Sequence, residues 1–161
     1  FLKFLRQKMF RLSKKTEYAF LALQRLAKNE ESPLSVKELA LELGISFEFL
    51  SKTMQKLAKK GLVQSLQGIK GGYYLSKPAN DIKLMEVIES LNENVNIVDC
   101  FSAKSTDNDC SRDSDCSIKN HLFLIQKKID DLFLTTTIYD LATTSSNKRQ
   151  LNLSDKFIEI K

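Results

Sequence analysis

Long apolar runs, histidine and the motifs of common enzymes are scarce or missing in this 161-residue chain. No apolar stretch approaches the roughly 20 residues that a membrane-spanning helix needs. Residues 1–8 mix Leu and Phe with three basic residues and lack the small-residue cleavage site of a secretory signal, so we interpret them as an upstream extension before Met9. One histidine, no nucleophile motif and no phosphate-binding loop argue against an enzyme. We therefore expect a non-enzymatic, cytoplasmic protein that does not enter a membrane.

The composition and the charge distribution favour a small globular protein with a polyanionic partner. With 42% hydrophobic and 28% charged residues, the chain has the make-up of an ordinary globular domain. Residues 1–77 carry 15 Lys and Arg against 6 Asp and Glu, residues 78–116 carry 3 against 9, and the remainder carries 7 against 5. The three parts therefore have net charges of +9, −6 and +2. A basic N-terminal half of this kind is typical of a protein that binds nucleic acid.

The N-terminal part begins with two predicted helices. Apolar side chains recur at helical spacing over residues 16–27, which predicts a buried amphipathic helix. Ser35 and Glu38 form a capping-box pattern, in which each residue satisfies an orphan amide of the other at the start of a helix. Gly44 is expected to end that helix just after residue 43.

A third predicted helix completes a helix-turn-helix. Ser46 is expected to cap a helix over residues 47–60. The apolar side chains of this helix, which we expect to pack on the core, are Phe47, Phe49, Leu50, Met54 and Leu57. Two helices joined by a short glycine-containing turn are typical of DNA-binding proteins that place the second helix in the major groove.

A β-hairpin and a further helix are predicted after the helix-turn-helix. Residues 62–66 and 73–75 are strand-like and flank a glycine-rich turn at 68–72, in the position where a winged helix has its wing. Asp81 is expected to cap a helix over residues 82–91.

The C-terminal part predicts a long helix that pairs two subunits. Apolar residues follow coiled-coil spacing at Ile118, Leu122, Ile125, Ile129, Leu132 and Tyr139. The expected fold class is α+β, mainly α: a winged helix-turn-helix with a long C-terminal dimerisation helix. The expected units are a DNA-binding domain (9–80), a helix with a cysteine-containing loop (81–116), the dimerisation helix (117–142) and a tail (143–161).

The candidate DNA contacts lie on the third helix and the predicted wing. Lys52, Lys56 and Lys59 form a cationic stripe suited to phosphates, while Ser51 and Gln55 are able to hydrogen-bond to base edges. The full set of candidates is Ser46, Glu48, Ser51, Lys52, Gln55, Lys56, Lys59, Gln67, Gly68, Lys70 and Gly71. Any one of these lysines taken alone is better explained as part of a solvated face. The helix-turn-helix, the wing and the charge distribution together favour double-stranded DNA as the partner.

Several motifs resemble the Rrf2 family of transcriptional regulators, whose members include IscR, NsrR and CymR. They are MFRLS at 9–13, Tyr18, GIS at 44–46 with Phe49 and Leu50, LAKKGLV at 57–63 and GIKGGY at 68–73. The resemblance implies a homodimeric winged-helix regulator that binds palindromic operators, and many members carry an iron-sulfur cluster. The sequence departs from the family in two places: Gln67 stands where Arg is common, and Phe10 is an extra residue.

The cysteines have two interpretations on spacing alone. Cys100, Cys110 and Cys116 lie in a polar acidic segment and lack the close pairs of most zinc sites, so both free thiols and a metal site stay open. The resemblance implies an iron-sulfur cluster, more in keeping with 2Fe-2S than with 4Fe-4S, because cluster-bearing members have three cysteines here. It also implies a fourth ligand: Glu17 of the partner subunit by similarity to NsrR, or alternatively His121 by similarity to IscR.

We expect the cluster to modulate operator binding in response to iron, redox state or nitric oxide. The alternative is a cluster-free winged-helix regulator that is controlled by cysteine oxidation or by a protein partner, as the resemblance to CymR implies. An interaction module that uses only its long helix is a third class, and it would show no salt-dependent affinity for DNA.

Overall fold

A computed structural model describes residues 11–29, 32–69, 71–98 and 116–144. The chain order is α1 (Lys14–Ala27), α2 (Val36–Leu43), α3 (Phe47–Lys59), β1 (Val63–Leu66), β2 (Gly72–Leu75), a 3-10 turn (Ala79–Asp81), α4 (Leu84–Ser90), α5 (Lys119–Thr135) and α6 (Ile138–Thr144). This mainly helical fold with one small antiparallel sheet confirms the expected winged helix-turn-helix class. Within the described residues, no helix is both long and apolar enough to cross a lipid bilayer.

Side-chain caps define the starts of α1 and α2. The amide of Thr16 donates to Ser13 Oγ at 3.1 Å, so α1 begins two residues before the apolar pattern does. The predicted capping box of α2 is confirmed: Glu38 N donates to Ser35 Oγ at 3.2 Å and Ser35 N donates to Glu38 Oε2 at 2.8 Å. Gly44 ends α2 with a φ of 64°, a backbone conformation that costs glycine little.

The start of α3 differs from the prediction in one respect. Ser46 occupies the N-cap position, but its side chain makes no capping hydrogen bond. The helix then runs from Phe47 to Lys59 and buries Leu50, Met54 and Leu57. The predicted cap was therefore right in position and wrong in mechanism.

The wing is an antiparallel hairpin tied to the entrance of α2. β1 pairs with β2 from Val63 opposite Leu75 to Leu66 opposite Gly72. Leu34 extends the sheet by an isolated bridge, since its amide donates to the Tyr73 carbonyl at 3.0 Å and its carbonyl accepts from Tyr73 at 2.8 Å. The wing and the helix-turn-helix are thereby joined by backbone hydrogen bonds.

The helix expected over residues 82–91 is shorter than predicted. Asp81 ends a 3-10 turn and does not cap a helix, and Lys83 is the N-cap residue of α4. Ile82 and Lys83 are instead used for pairing with residues 136–138, which a helix beginning at residue 82 would prevent.

The long helix expected over residues 117–142 is two helices. Thr136 is extended (φ −80°, ψ 138°), and Thr137 forms an antiparallel bridge with Lys83. Leu84 N donates to the Thr136 carbonyl at 3.0 Å, and Ile138 N donates to the Ile82 carbonyl at 3.0 Å. The break thus exchanges helical hydrogen bonds for a docking contact with the segment before α4.

The core lies around α1 and includes the end of the chain. α1 contributes Ala19, Ala22 and Leu23, all with no exposed surface. Ile138 of α6 is likewise fully buried in the same cluster, and Gln24 Nε2 donates to the Leu141 carbonyl at 2.6 Å. The winged helix-turn-helix is therefore completed by α6.

Candidate nucleic-acid interface and cysteine segment

α3 has an apolar inner face and a polar outer face, as the spacing of its residues requires. Leu50, Met54 and Leu57 are buried, and Thr53 is held by a hydrogen bond from its Oγ1 to the Phe49 carbonyl at 3.0 Å. The candidate contacts Glu48, Lys52, Gln55, Lys56 and Lys59 are exposed, and Ser51 is half-buried. The structure therefore collects all six side chains on the surface of one helix.

The lysines of α3 line an open cleft together with a lysine from α1. The cleft is bordered by Lys15, Phe49, Lys52, Thr53, Gln55, Lys56 and Lys59. Lys15 donates to the Leu91 carbonyl at 3.0 Å and forms an ion pair with Glu93, which fixes it against the end of α4. Among the described residues, the three lysines of α3 have no carboxylate partner, so their charge is available to an anion.

The two phenylalanines of α3 have different environments. Phe49 meets Tyr18 of α1 edge-to-face, with ring centroids 5.4 Å apart, and this contact holds α3 against α1. Phe47 is 54% exposed and Phe49 is 38% exposed. The prediction that Phe47 packs in the core is therefore wrong, and Phe49 packs against Tyr18 at the surface rather than in the core.

The wing presents its turn to solvent. Gln67 and Gly68 are exposed, while Lys70 lies outside the described residues. Gly71 N donates to the Gly68 carbonyl at 2.9 Å, and a side chain at Gly71 would collide with the Leu66 carbonyl oxygen. The tight turn thus depends on glycine at this position.

Residues on both sides of the cysteine segment, which we define as 99–115, are attached to α5. Gln126 is 6% exposed, accepts a hydrogen bond from Ile97 N at 2.9 Å and donates to the Val95 carbonyl at 2.6 Å and to Asp130 Oδ1 at 2.8 Å. Cys116, a half-buried free thiol, lies just before α5, where Lys119 N donates to its carbonyl at 3.2 Å. The two attachment points are separated by about 10 Å of helix, at 1.5 Å per residue.

The predicted ligands fall partly outside the described residues. Cys100 and Cys110 lie outside them, so the structure leaves the three-cysteine set untested. Glu17 is in the first turn of α1, where it forms an ion pair with Lys14 and borders a surface hollow lined by Phe20, Leu21, Gln24 and Leu141. His121 is exposed in the first turn of α5. Within the described part of the chain, no three metal-binding side chains come together.

Sequence reasoning missed Lys15 and Gln126. Lys15 was part of the basic N-terminal half, but its place beside α3 depends on the packing of α1 on α3 and α4. Gln126 begins a polar stretch with Lys127 and Lys128, so no local signal distinguished it as a buried hydrogen-bonding residue.

Comparisons with known proteins agree with this architecture. A model of the family Rrf2, described as "Iron-dependent Transcriptional regulator", matches residues 12–144. The regulator IscR of Pectobacterium atrosepticum is 31% identical over 147 residues, which span 91% of this chain and 85% of that protein. NsrR of Geobacillus kaustophilus is 29% identical over 87% of this chain and 92% of that protein. The structure of CymR, the global cysteine regulator of B. subtilis, is similar with a TM-score of 0.67 and 25% identity over 83% of this chain and 97% of that one.

Proposed function

The chain belongs to the Rrf2 family of transcriptional regulators, and from this premise we propose that it binds a palindromic operator as a homodimer under the control of an iron-sulfur cluster. DNA binding and transcriptional regulation follow from the family, and the relatives are regulators rather than enzymes. The proposed binding mode rests on the outer face of α3. Its three lysines form no ion pair among the described residues, and they adjoin Ser51 and Gln55.

In the proposed complex, α3 enters the major groove and the wing follows the DNA backbone. Lys52, Lys56 and Lys59 neutralise phosphates, while Ser51 and Gln55 hydrogen-bond to base edges. On the wing, Gln67, Gly68, Lys70 and Gly71 approach the backbone beside the minor groove, and Ser46 and Glu48 lie at the groove-facing end of α3. We call the winged helix-turn-helix of one subunit the reading head. Because each reading head presents one recognition helix, a two-fold symmetric dimer would contact two half-sites about one DNA turn apart.

The proposed dimer uses the apolar row of α5. Ile118, Ile125 and Leu132 recur every seven residues and are 58%, 48% and 61% exposed. Tyr139 of α6 is also 54% exposed, but the extended backbone at Thr136 takes it out of the helical repeat of α5. Isolated exposed apolar side chains are ordinary, but a row at heptad spacing is typical of a helix that pairs with a second copy.

The proposed cluster ligands are Cys100, Cys110 and Cys116. Three thiolates form a donor set suited to an iron-sulfur cluster, and the family description supports iron dependence. Glu17 of the partner subunit is the proposed fourth ligand, and His121 is the alternative; both lie in the first turn of a helix. When bound, such a cluster supplies a redox-active group whose loss or oxidation reports iron supply, redox state or nitric oxide.

The proposed regulation acts through the attachment of the cysteine segment to α5. Gln126 holds residues 95–97 on that helix, and Cys116 precedes it. A conformational change in the cysteine segment would therefore shift α5, the proposed dimer helix. The position of α5 in turn sets the distance between the two reading heads. Operator binding changes only if the two states of the segment differ in their free energy of binding DNA.

A cluster-free regulator is the second candidate. It is supported by the similarity to the structure of CymR, named a global cysteine regulator. In that case, oxidation of cysteines in the same segment or the binding of a partner protein replaces the cluster as the signal.

An absorption spectrum with iron and sulfide analysis distinguishes the two candidates. The full chain would be purified without oxygen, alongside Cys110→Ala and, as a matched control, Ser117→Ala. Visible absorption with iron and sulfide in the wild type and in the control, but not in Cys110→Ala, would support the cluster. A colourless, iron-free wild type would contradict it and leave thiol control.

A DNA titration then tests the regulation itself. Operator fragments would be titrated at one fixed salt concentration against the holo and apo forms. Different affinities are expected, and equal affinities would contradict control by the cluster.

A further inference from the structure

Phe47 is a large apolar side chain left open to solvent at the start of the recognition helix. It is 54% exposed, whereas the next apolar residue of α3, Phe49, is held against Tyr18. A phenyl ring that leaves about half of its surface in water gains less stabilisation than a buried one. Single exposed apolar side chains are ordinary, so a role for Phe47 has to be argued from its position in α3.

Phe47 lies in the same row of α3 as the two residues proposed to contact base edges. Phe47, Ser51 and Gln55 are spaced i, i+4 and i+8, so their side chains lie along one side of the helix. Phe47 is the first residue of this row, and recognition helices contact base edges chiefly with their N-terminal residues. The row thus places an apolar group at the end of the helix that enters the groove first.

We propose that Phe47 selects thymine at one position of each operator half-site by packing against its C5-methyl group. The thymine methyl is the apolar group that base pairs present in the major groove, and phenylalanine is among the side chains that contact it. This inference rests on the proposed reading of DNA by α3, and it adds a specificity-determining residue to the polar contacts already assigned.

Leu41 offers a matched comparison for Phe47. It is 86% exposed. Leu41 and Phe47 border one surface hollow, together with Lys37, Gly44 and Ile45. Leu41 belongs to α2, however, and the first helix of a helix-turn-helix crosses the DNA backbone rather than entering the groove. Lys37 beside it is suited to a phosphate. An apolar side chain at Leu41 therefore has no methyl group to meet, and its removal is expected to leave base preference unchanged.

The test removes the methyl group from the DNA and the phenyl ring from the protein. An operator is first selected from random DNA with the full-length chain. Each thymine is then replaced by deoxyuridine in both half-sites, and the dissociation constants of wild type, Phe47→Ala, Phe47→Leu and Leu41→Ala are measured by fluorescence anisotropy at one salt concentration. Thermal unfolding of each variant confirms that it is folded.

At one thymine, replacement by deoxyuridine is expected to weaken wild-type binding about four-fold per half-site, which corresponds to roughly 0.8 kcal/mol for one methyl-sized group. Phe47→Ala should bind the thymine operator more weakly and be indifferent to the replacement at that position. Phe47→Leu should keep part of the sensitivity, and Leu41→Ala should keep all of it.

Two results would overturn the proposal. The first is a Phe47→Ala protein that retains every thymine sensitivity of the wild type. The second is normal operator binding by Phe47→Ala together with lost regulation of transcription, which would assign the exposed ring to a protein partner. Failure to select any operator with the wild type would instead count against sequence-specific reading by α3, and so against the proposed binding mode itself.

Discussion

Two helices of similar length use their apolar residues in opposite ways. α3 spans Phe47–Lys59 and buries Leu50, Met54 and Leu57 in its own chain. α5 spans Lys119–Thr135, yet the one residue that it buries is the polar Gln126. α3 thus packs within the single chain, whereas α5 leaves four of its aliphatic side chains exposed: Leu124, Ile125, Leu132 and Leu134.

This difference separates two sources of stability. Truncating a side chain on the inner face of α3 should weaken the fold at any protein concentration, since its contacts are within one chain. A change in the apolar row of α5 should act mainly through association, and its effect should therefore depend on concentration. The following predictions test this distinction, beginning with the largest expected effect.

Charges in the apolar row of α5 should dissociate the proposed dimer. In the double variant Ile125→Asp, Leu132→Asp, four carboxylates would face one another across the interface. Loss of the second half-site should lower operator affinity at least 100-fold, since paired sites raise avidity by 10²–10⁴. Sedimentation and anisotropy measure the two effects. Lys127→Ala, an exposed change on the same helix, should leave both unchanged, and a fully dimeric double variant would refute the assignment of this face.

A cavity in the inner face of α3 should destabilise the isolated chain. Leu57 has no exposed surface, so Leu57→Ala is expected to lower the free energy of unfolding by about 2–5 kcal/mol. Chemical denaturation at two protein concentrations measures this value, which should be the same at both once dimer dissociation is taken into account. Gln55→Ala, on the outer face of the same helix, should change it by less than about 0.5 kcal/mol.

The buried amide of Gln126 should stabilise the segment before the cysteines. Gln126→Leu removes the partners of the Ile97 amide and the Val95 carbonyl, at an expected cost of about 1–3 kcal/mol for each buried group left unpaired. Hydrogen exchange at Ile97 should accelerate while exchange in α3 stays unchanged. Equal acceleration in both regions would show that the side chain supports the whole fold rather than this attachment.

The charges of the two helices should differ in their response to salt. Lys56→Ala is expected to reduce the slope of log affinity against log salt by about 0.9 for each phosphate that the protein no longer neutralises. Lys127→Ala of α5 should leave the slope unchanged, because α5 contacts no phosphate in the proposed complex. Identical slopes for wild type and Lys56→Ala would remove this lysine from the DNA interface.

The smallest effect concerns the cap of α6. Asp140 N donates to Thr137 Oγ1 at 3.1 Å, and Asp140 Oδ2 accepts from Thr137 N at 2.8 Å. Thr137→Ala should cost about 1 kcal/mol, while Thr137→Ser should retain most of this contribution. Thermal unfolding measures both.

The same cap should be sensitive to acid. The hydrogen bonds from Thr137 hold the pKa of Asp140 below its ordinary value, with a smaller contribution from the charge of Lys83. A lowered carboxyl pKa stabilises the fold above the ordinary value, about pH 4, and this contribution is lost as the pH falls through the lowered pKa. The difference between wild type and Thr137→Ala should therefore shrink below about pH 4. A constant difference would separate the cap from this ionisation.

Local signals in the sequence predicted the reading head well. The capping box of α2 is defined by Ser35 and Glu38 alone, and the turn after it depends on Gly44, so neither requires knowledge of distant residues. Thr137 and Asp140 form a similar capping pattern at the start of α6. It was not recognised, because the apolar pattern continues from α5 into α6 and predicts one helix. The pairing of residues 82–84 with 136–138 joins positions more than 50 residues apart, and no local pattern encodes it.

Residue type and helical spacing predicted which side chains of α3 are polar and exposed. They did not predict features that depend on the packing of neighbouring elements. The exposed polar face of α3 followed from helical spacing, because Leu50, Met54 and Leu57 fix the buried side. The exposure of Phe47 did not follow, since hydrophobicity alone predicts burial and the position of this residue at the first turn of α3 places it beside a surface hollow. The three-cysteine set and its fourth ligand stay predictions.

The position of Ile138 in the core bears on how the chain folds as it is made. Helices α1 to α4 are complete once Ser90 has been synthesised. The core around Ala19 and Ala22 nevertheless lacks the side chain of Ile138 until synthesis has passed α5. At 5–20 residues per second, translation of the residues from α4 to the end of α6 takes roughly 3–10 s. During that interval the nascent reading head exposes the apolar surface that α6 later covers, so a ribosome-bound chain is open to chaperones before it is able to bind DNA.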